Sequence, residues 1–322
     1  MGISARGFFL SRSHLLFILF LTVFPFIVPY TAIANQILIF GLFAMGYNIL
    51  LGNTGLLSFG HAALFGLGAY GAGMALVYLK TGLFTGILIG VAAASLGAAG
   101  IGYFCLKRRG IYFGMLTLAF AQLLYFLALT VFDKYTGGDD GLRNIPLPPV
   151  SVPGVYSVSI DGPLRFYYFL FVICALSLLV IRRILDSPFG TVLQAIRENE
   201  KRAKSCGYNV NRVKWIAFVF SGFFSGLAGA LYAVYFHLAP LNTLYWTTSG
   251  SVVMMTILGG MGTFVGPFIG AAIFLLLQDL LSTVTKSWQL FVGGIFMLFV
   301  LFFPEGIWGT LQEKIRFRDV QE

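Results

Sequence analysis

Charge is what this 322-residue chain has least of: Asp, Glu, Lys and Arg together make up 10% of it, against 58% apolar residues. A water-soluble protein carries about a quarter charged residues, so there is too little charge here to cover the surface of a soluble fold. Cysteine is also scarce. Cys105, Cys174 and Cys206 are odd in number, far apart and in no CxxC pair, which gives neither a disulfide framework nor a zinc site. The three histidines are equally scattered. The dipeptide Gly-Lys never occurs, which excludes a Walker A loop and ATP hydrolysis by this chain, and neither HExxH nor GxSxG is present. Gly66-Leu-Gly68-Ala-Tyr-Gly71 does match GxGxxG, but it lies inside an apolar run with no strand before it and no acid about 20 residues on, so the dinucleotide reading falls.

What is present in quantity is apolar sequence. Runs long enough to cross a bilayer, about 20 residues each, lie near 15–31, 33–51, 56–79, 83–105, 111–132, 164–184, 213–235, 248–261, 264–283 and 287–303. The runs are too long and unbroken for barrel strands, so the expected fold is all-α: a polytopic transmembrane helical bundle of about ten spans, nine if the short eighth run fails to cross, in one domain over 1–322. With both termini inside, sixteen of the 21 Lys and Arg residues fall on the inner side and five on the outer. That bias favours ten spans with cytoplasmic termini and explains the net charge of +9 without nucleic acid. Ala32-Ile33-Ala34 after an apolar stretch has the form of a signal-peptidase site; a first transmembrane helix is the preferred reading.

Two polar stretches interrupt the runs. The outer one, 133–163, is rich in Gly, Pro and Asp and leaves no room for a catalytic domain. Within it Gly137, Gly138, Asp139 and Asp140 form an acidic turn, equally fit for solvent or for a docking partner. The inner one, 186–214, has helical grammar: Ser187 at a cap, Pro188 at the first helical position and Gly207 at the stop. Phe189, Val192, Leu193, Ile196 and Ala203 recur at helical spacing against a charged face. Such a helix lies on anionic lipid or docks into a partner's groove, and composition alone slightly favours lipid.

The 39 glycines concentrate in the spans. Most suit close helix packing, as at Gly222, Gly226 and Gly229. Two clusters, 52–61 and 259–267, exceed that need, because they put helix breakers beside polar groups at membrane depth. Paired interruptions of this kind point to a translocation path, with Asn48, Ser58, His61, Gln122, Thr263 and Pro267 as its candidate residues. A lone histidine after a glycine turn is more often a capping group than a ligand, and a mid-span glutamine more often an interhelical hydrogen bond. Asp279, the one acid well inside an apolar run, fits a helix end near the outer interface as well as it fits a functional role.

Several blocks together resemble one family. They are Gly46-Tyr-Asn48-Ile-Leu-Leu-Gly52-Asn-Thr-Gly55-Leu-Leu-Ser58-Phe-Gly60-His61, Arg109-Gly110-Ile-Tyr-Phe-Gly-Met-Leu-Thr-Leu-Ala119, Thr136-Gly137-Gly138-Asp139-Asp140-Gly141, Ser187-Pro188-Phe-Gly190 through Arg197-Glu198 to Gly207, and Gly259-Gly260-Met-Gly262-Thr263-Phe-Val-Gly266-Pro267. In this order, over about 40–310, they are similar to the LivM-type permease subunits of branched-chain amino-acid ABC importers. The resemblance implies a multi-pass protein of the bacterial inner membrane without catalytic residues or cofactors of its own. Its implied partners are a sister permease subunit, two cytoplasmic ATPases that bind the ATP, a periplasmic substrate-binding protein and membrane lipid. It also implies that 186–214 is the coupling segment seated on an ATPase, with Glu198, Arg202, Ala203 and Gly207 at its acidic, small and glycine positions. Cys206 departs from the aliphatic residue expected before that glycine. Substrate stays open: similar permeases carry urea, short amides or aromatic acids, and a self-sufficient channel or secondary carrier is the alternative from another class.

Overall fold

The computed structural model describes residues 21–26, 30–108, 110–152, 155–158, 162–303 and 305–310. Eleven helices carry the architecture: α1 (Thr31–Thr54), α2 (His61–Val77), α3 (Leu83–Cys105), α4 (Ile111–Phe126, continued as a π-helical turn over Leu127–Val131), α5 (Pro163–Leu185), α6 (Pro188–Glu198), α7 (Glu200–Ser205), α8 (Val210–Phe236), α9 (Trp246–Gly259), α10 (Gly266–Val284) and α11 (Trp288–Phe302). Seven described helices are long and apolar enough to cross a membrane; α2 and α9, with 17 and 14 residues, are not. The expected run 56–79 is therefore helical only from His61, because Gly55 to Gly60 are not helical. Most of the expected run 15–31 lies outside the described residues, although Leu21–Phe26 are helical. Ala32-Ile33-Ala34 fall in the first turns of α1, where Ile33 and Ala34 are buried.

α1 is apolar on every side and buried along nearly its whole length, as a helix at the centre of a bundle must be. It packs against α5, α8, α9 and α10, while α2, α3 and α8 form a second close group. Small residues make that group possible. A methyl at Gly68 would strike the Gly226 backbone, and one at Gly90 would strike the Gly68 carbonyl. These contacts account for Gly68, the middle glycine of the GxGxxG match, as helix packing. α4 and α11 lie at the periphery with most of their apolar surface exposed.

Successive helices alternate between two ends of the bundle. At one end, called the coupling end after the role expected of 186–214, Gly55 and Gly262 both approach the Arg197 side chain, and Gly260 lies against Glu305. At the loop end Tyr78 stacks edge-on against Tyr135, and Leu142-Arg143 pairs antiparallel with Leu238-Ala239. The outer stretch thus holds two short two-stranded pieces, this pair and a hairpin of Val150–Val152 with Val155–Val158, rather than being wholly loop.

The two short helices share one construction. A long helix ends in a left-handed residue, Gly55 (φ 72°) after α1 and His237 (φ 54°) after α8. The chain then re-enters the bundle without α-helix, in the second case through a 3-10 turn at Leu241–Leu244, and a short helix begins inside it. Glycine takes this conformation freely, whereas His237 is held in it by its Nδ1 bonding the Ile145 carbonyl at 2.9 Å. α2 then runs to the loop end and α9 to the coupling end. Their starts meet where the Ala62 amide donates to Ser249 Oγ at 2.8 Å. The inverted relation is therefore between 55–77 and 237–259. The two glycine clusters themselves lie at the same end.

Candidate functional site

The extended stretch before α2 has no helical ladder, so its amides need other partners. Side chains supply them. The Ser58 amide donates to Tyr47 Oη at 3.3 Å, the Phe59 amide to Thr117 Oγ1 at 3.2 Å and the Gly60 amide to Ser58 Oγ at 3.2 Å. His61 closes the group. Its Nε2 lies 2.8 Å from Ser221 Oγ and its Nδ1 3.1 Å from Ser58 Oγ. The Ser221 hydroxyl donates to the Gly46 carbonyl at 2.7 Å, so it must accept from the Nε2–H, leaving Nδ1 to accept the Ser58 proton. This is the neutral imidazole with both nitrogens satisfied. Tyr47 and Phe218 pack edge-on against the ring, and Ser58, His61 and Ser221 are all fully buried. His61 thus ties α1, α2 and α8 together and has no surface left for a ligand.

The second glycine cluster is held differently. Asn48, on α1, donates its Nδ2 to the Thr263 carbonyl at 2.9 Å and accepts from the Gly262 amide at 3.0 Å. That two-way pairing grips the turn between α9 and α10 as a neighbouring strand would. Gly262 has a left-handed backbone (φ 80°), and a methyl on Gly52 would collide with its amide, so both glycines are needed for the approach. Thr263 is half-buried, with its hydroxyl on the Gly260 carbonyl at 2.8 Å, while Pro267 sits buried in the first turn of α10. The two clusters therefore do meet, but through Asn48 rather than through Ser58 and His61.

Arg197 of α6 completes this second junction. Its guanidinium donates to the Gly52 carbonyl in the last turn of α1 and lies beside Gly262. A cation at the carbonyl end of a helix also meets the negative pole of the helix dipole. The charged-face reading of 186–214 passed over Arg197 as a site residue, although a signal was there. It stands four residues after the buried Leu193 and next to the buried Ile196, at the edge of the packed face.

The expected coupling segment holds two short helices where the sequence predicts one. Asn199 is extended, and its side chain accepts from the Arg202 amide at 3.0 Å, so it ends α6 and caps α7. Ser187 precedes Pro188 as expected, but its hydroxyl bonds the Ile184 carbonyl instead of capping α6. The stop at Gly207 forms as expected: the Gly207 amide reaches the Lys204 carbonyl at 3.0 Å and the Tyr208 amide the Ala203 carbonyl at 3.3 Å. Ala203 is buried against Ile196 and Val210, whereas Glu198 and Arg202 are exposed. Lys214, nearly buried in α8, pairs with Glu200 at 2.8 Å and fastens α7 to the bundle.

At the loop end Gly138 is buried beneath Thr136, whose hydroxyl donates to the Ala128 carbonyl at 2.6 Å. Gly137 packs against the Gly141 carbonyl, and Gly141 against Ala239 and Pro240. Asp139 and Asp140 are exposed; Asp140 is paired with Arg143, so the two carboxylates are not equally open to a partner. Gln122, on the peripheral α4, joins neither junction, and its buried Nε2 makes no interhelical hydrogen bond. Asp279 is exposed near the loop end of α10.

The sequence profile of the branched-chain amino acid transport system permease component matches residues 30–301. The high-affinity branched-chain amino acid transport system permease protein LivM of Salmonella typhimurium is 27% identical over 308 residues, 90% of this chain and 72% of that protein. The LivH permease protein of the corresponding Escherichia coli K12 system is 26% identical over 294 residues, 86% of this chain and 93% of that protein. The autoinducer 2 import system permease protein LsrC of Yersinia enterocolitica is 24% identical over 284 residues, 80% of this chain and 77% of that protein. No solved structure matches. The chain belongs to the family of branched-chain amino acid transport system permease components.

Proposed function

We propose that this chain is one of two permease subunits of an ATP-driven importer in the bacterial inner membrane, and forms one side of the path for leucine, isoleucine and valine. The partners are a sister permease, two cytoplasmic ATPases that bind and hydrolyse the ATP, and a periplasmic substrate-binding protein. The chain itself carries no cofactor. Its single domain crosses ten times, counting α2, α9 and the run 15–31, with the coupling end and both termini cytoplasmic. The excess of Lys and Arg at the coupling end and the alternation of the helices support that orientation.

The observation that carries the reading is the seat of the coupling segment. Arg197 links it to the last turn of α1 and stands beside the α9–α10 turn, which Asn48 grips from the other side. Closure of the ATPases moves α6 and α7, and this contact passes the movement to helices that line the path. A branched-chain amino acid is a zwitterion with an apolar side chain, so it needs an alternating polar path rather than open lipid. At the other end the turn around Asp139 receives the binding protein. It is backed by the strand that leads into α9, so delivery is felt at the second short helix.

The test is reconstitution. A tagged chain should bring down a second permease and two ATPases. Proteoliposomes of that complex should take up labelled leucine only with ATP and the binding protein, with isoleucine and valine competing and urea, short amides and aromatic acids not. LsrC belongs, by its name, to an autoinducer 2 import system, so family membership leaves substrate to that competition. ATP-independent uptake by the chain alone would replace the importer reading with a channel or carrier.

A further inference from the structure

A cleft of about 400 Å³ opens at the coupling end between the last turn of α3 and the first turns of α8. Lys107, Asn209, Asn211 and Arg212 line its polar side, with Tyr103 and Trp215 on the other. Its lining holds two cations and no carboxylate. The aromatic wall is fixed: the Trp215 indole donates to the Ala99 carbonyl at 2.9 Å, and the Lys107 ammonium rests 4.5 Å above the Tyr103 ring. Asn209 Oδ1 is used in accepting from the Arg212 amide, so its amide group remains a donor. On the outward side the cleft runs into an open strip of α3. Leu96 and Tyr103 are exposed there, and nothing packs over Gly100 between them.

We propose that this cleft holds the phosphate of an anionic phospholipid from the inner leaflet, with one acyl chain lying along Leu96, Gly100 and Tyr103. Cations and amide donors without a carboxylate suit a phosphate oxyanion. An adjoining apolar strip, one residue wide at Gly100, suits a chain covalently attached to that phosphate. A free ion would make no use of the strip. A basic pocket between transmembrane helices on the cytoplasmic side is a physically favourable place for such a headgroup. The inner-leaflet assignment rests on the orientation proposed above; the cleft and its chemistry do not.

The experiment places the purified full chain, with the subunits that accompany it, in phosphatidylcholine discs containing phosphatidylglycerol. After a detergent wash, mass spectrometry reads the ratio of the two retained lipids. Lys107→Gln or Arg212→Gln should lower the retained phosphatidylglycerol about five-fold each, and the pair more than about ten-fold. Lys107→Arg should keep it, as should Lys80→Gln/Lys134→Gln at the loop end. An unchanged ratio in the Lys107/Arg212 pair, or an equal fall in the loop-end pair, would overturn the proposal. So would displacement by excess inorganic phosphate, which would mark a free-phosphate site. Loss of accompanying ATPases with lipid retained would also overturn it, since the cleft would then be a protein-docking surface. Retention is read without transport, so failure of the uptake assay leaves this result intact.

Discussion

Two junctions interrupt the helices of this protein, and they are built on opposite terms. Around His61 the amides of Ser58, Phe59 and Gly60 are each taken up by a buried side chain, and Ser58, His61 and Ser221 have no exposed surface. Around Gly262 the turn between α9 and α10 is held by one asparagine and bordered by one arginine from the coupling segment, with Met261 exposed and Thr263 half-buried. A fully satisfied polar group in a low-dielectric interior is stiff, because breaking any one bond leaves a desolvated partner behind. A turn held at its edge is the cheaper of the two to move. The difference predicts that the His61 junction belongs to the frame and the Gly262 junction to the moving part.

The comparison breaks most sharply at His61. His61→Leu leaves the Ser58 and Ser221 hydroxyls short of a partner in the interior, an expected loss of about 3 kcal/mol or more. The expected outcome is a complex that melts early and accumulates poorly, measured by thermal denaturation of the detergent-solubilised protein. Normal melting with uptake abolished would instead make His61 part of the path. At the second junction the balance should reverse. Asn48→Ala removes two hydrogen bonds to backbone, about 1–2 kcal/mol in stability. Its effect on ATP-driven uptake should be larger, about ten-fold or more, because the α9–α10 turn loses its link to α1. Uptake that falls only in step with protein amount would cancel the distinction between the junctions.

Arg197→Gln tests the same junction from the coupling side, with a smaller effect. The residue is exposed, so thermal stability should change little. Substrate-stimulated ATP hydrolysis should fall about five-fold while ATPase association persists, since the Arg197 guanidinium is engaged on the Gly52 carbonyl, whereas Glu198 and Arg202 are exposed. Loss of association would show that Arg197 belongs to the docking surface instead.

Most of the helices were legible because apolar runs of bilayer length have one physical solution, and 83–105 matches α3 to the residue. The two short helices were not, because hydropathy does not register the difference between an extended and a helical apolar residue; Leu56 and Leu57 read like any span. The glycines of 52–61 and 259–267 correctly marked two junctions that touch. They could not show that Asn48, a polar residue within a helix, is what joins them. The re-entry at 237–245 went unread since His237 stands where glycine was the signal sought, and its left-handed backbone is supported by a carbonyl from 145, remote in sequence. The break at Asn199 was visible in principle. An asparagine three residues before Arg202 in a charged helix is a cap, and unbroken periodicity of the apolar residues concealed it.

The gentlest way to sharpen the comparison is to ask water which junction it reaches. Cys206 is exposed and must first become serine, whereas Cys105 and Cys174 are buried and can stay. In that background Thr263→Cys removes one hydroxyl, whose bond to the Gly260 carbonyl lies within the turn, so uptake should be almost unchanged. The new thiol is half-exposed and should react with a small charged thiol reagent, at a rate that shifts by several-fold when ATP closes the complex, if closure moves the turn. Ser58→Cys is the matched control: it is fully buried among Tyr47, Gly60 and His61, so reagent should not reach it with or without ATP. Labelling at both positions would put the His61 junction on the path and dissolve the distinction. Labelling at Thr263 that ignores ATP would leave its turn solvent-exposed but immobile, and would move the hinge elsewhere in the bundle.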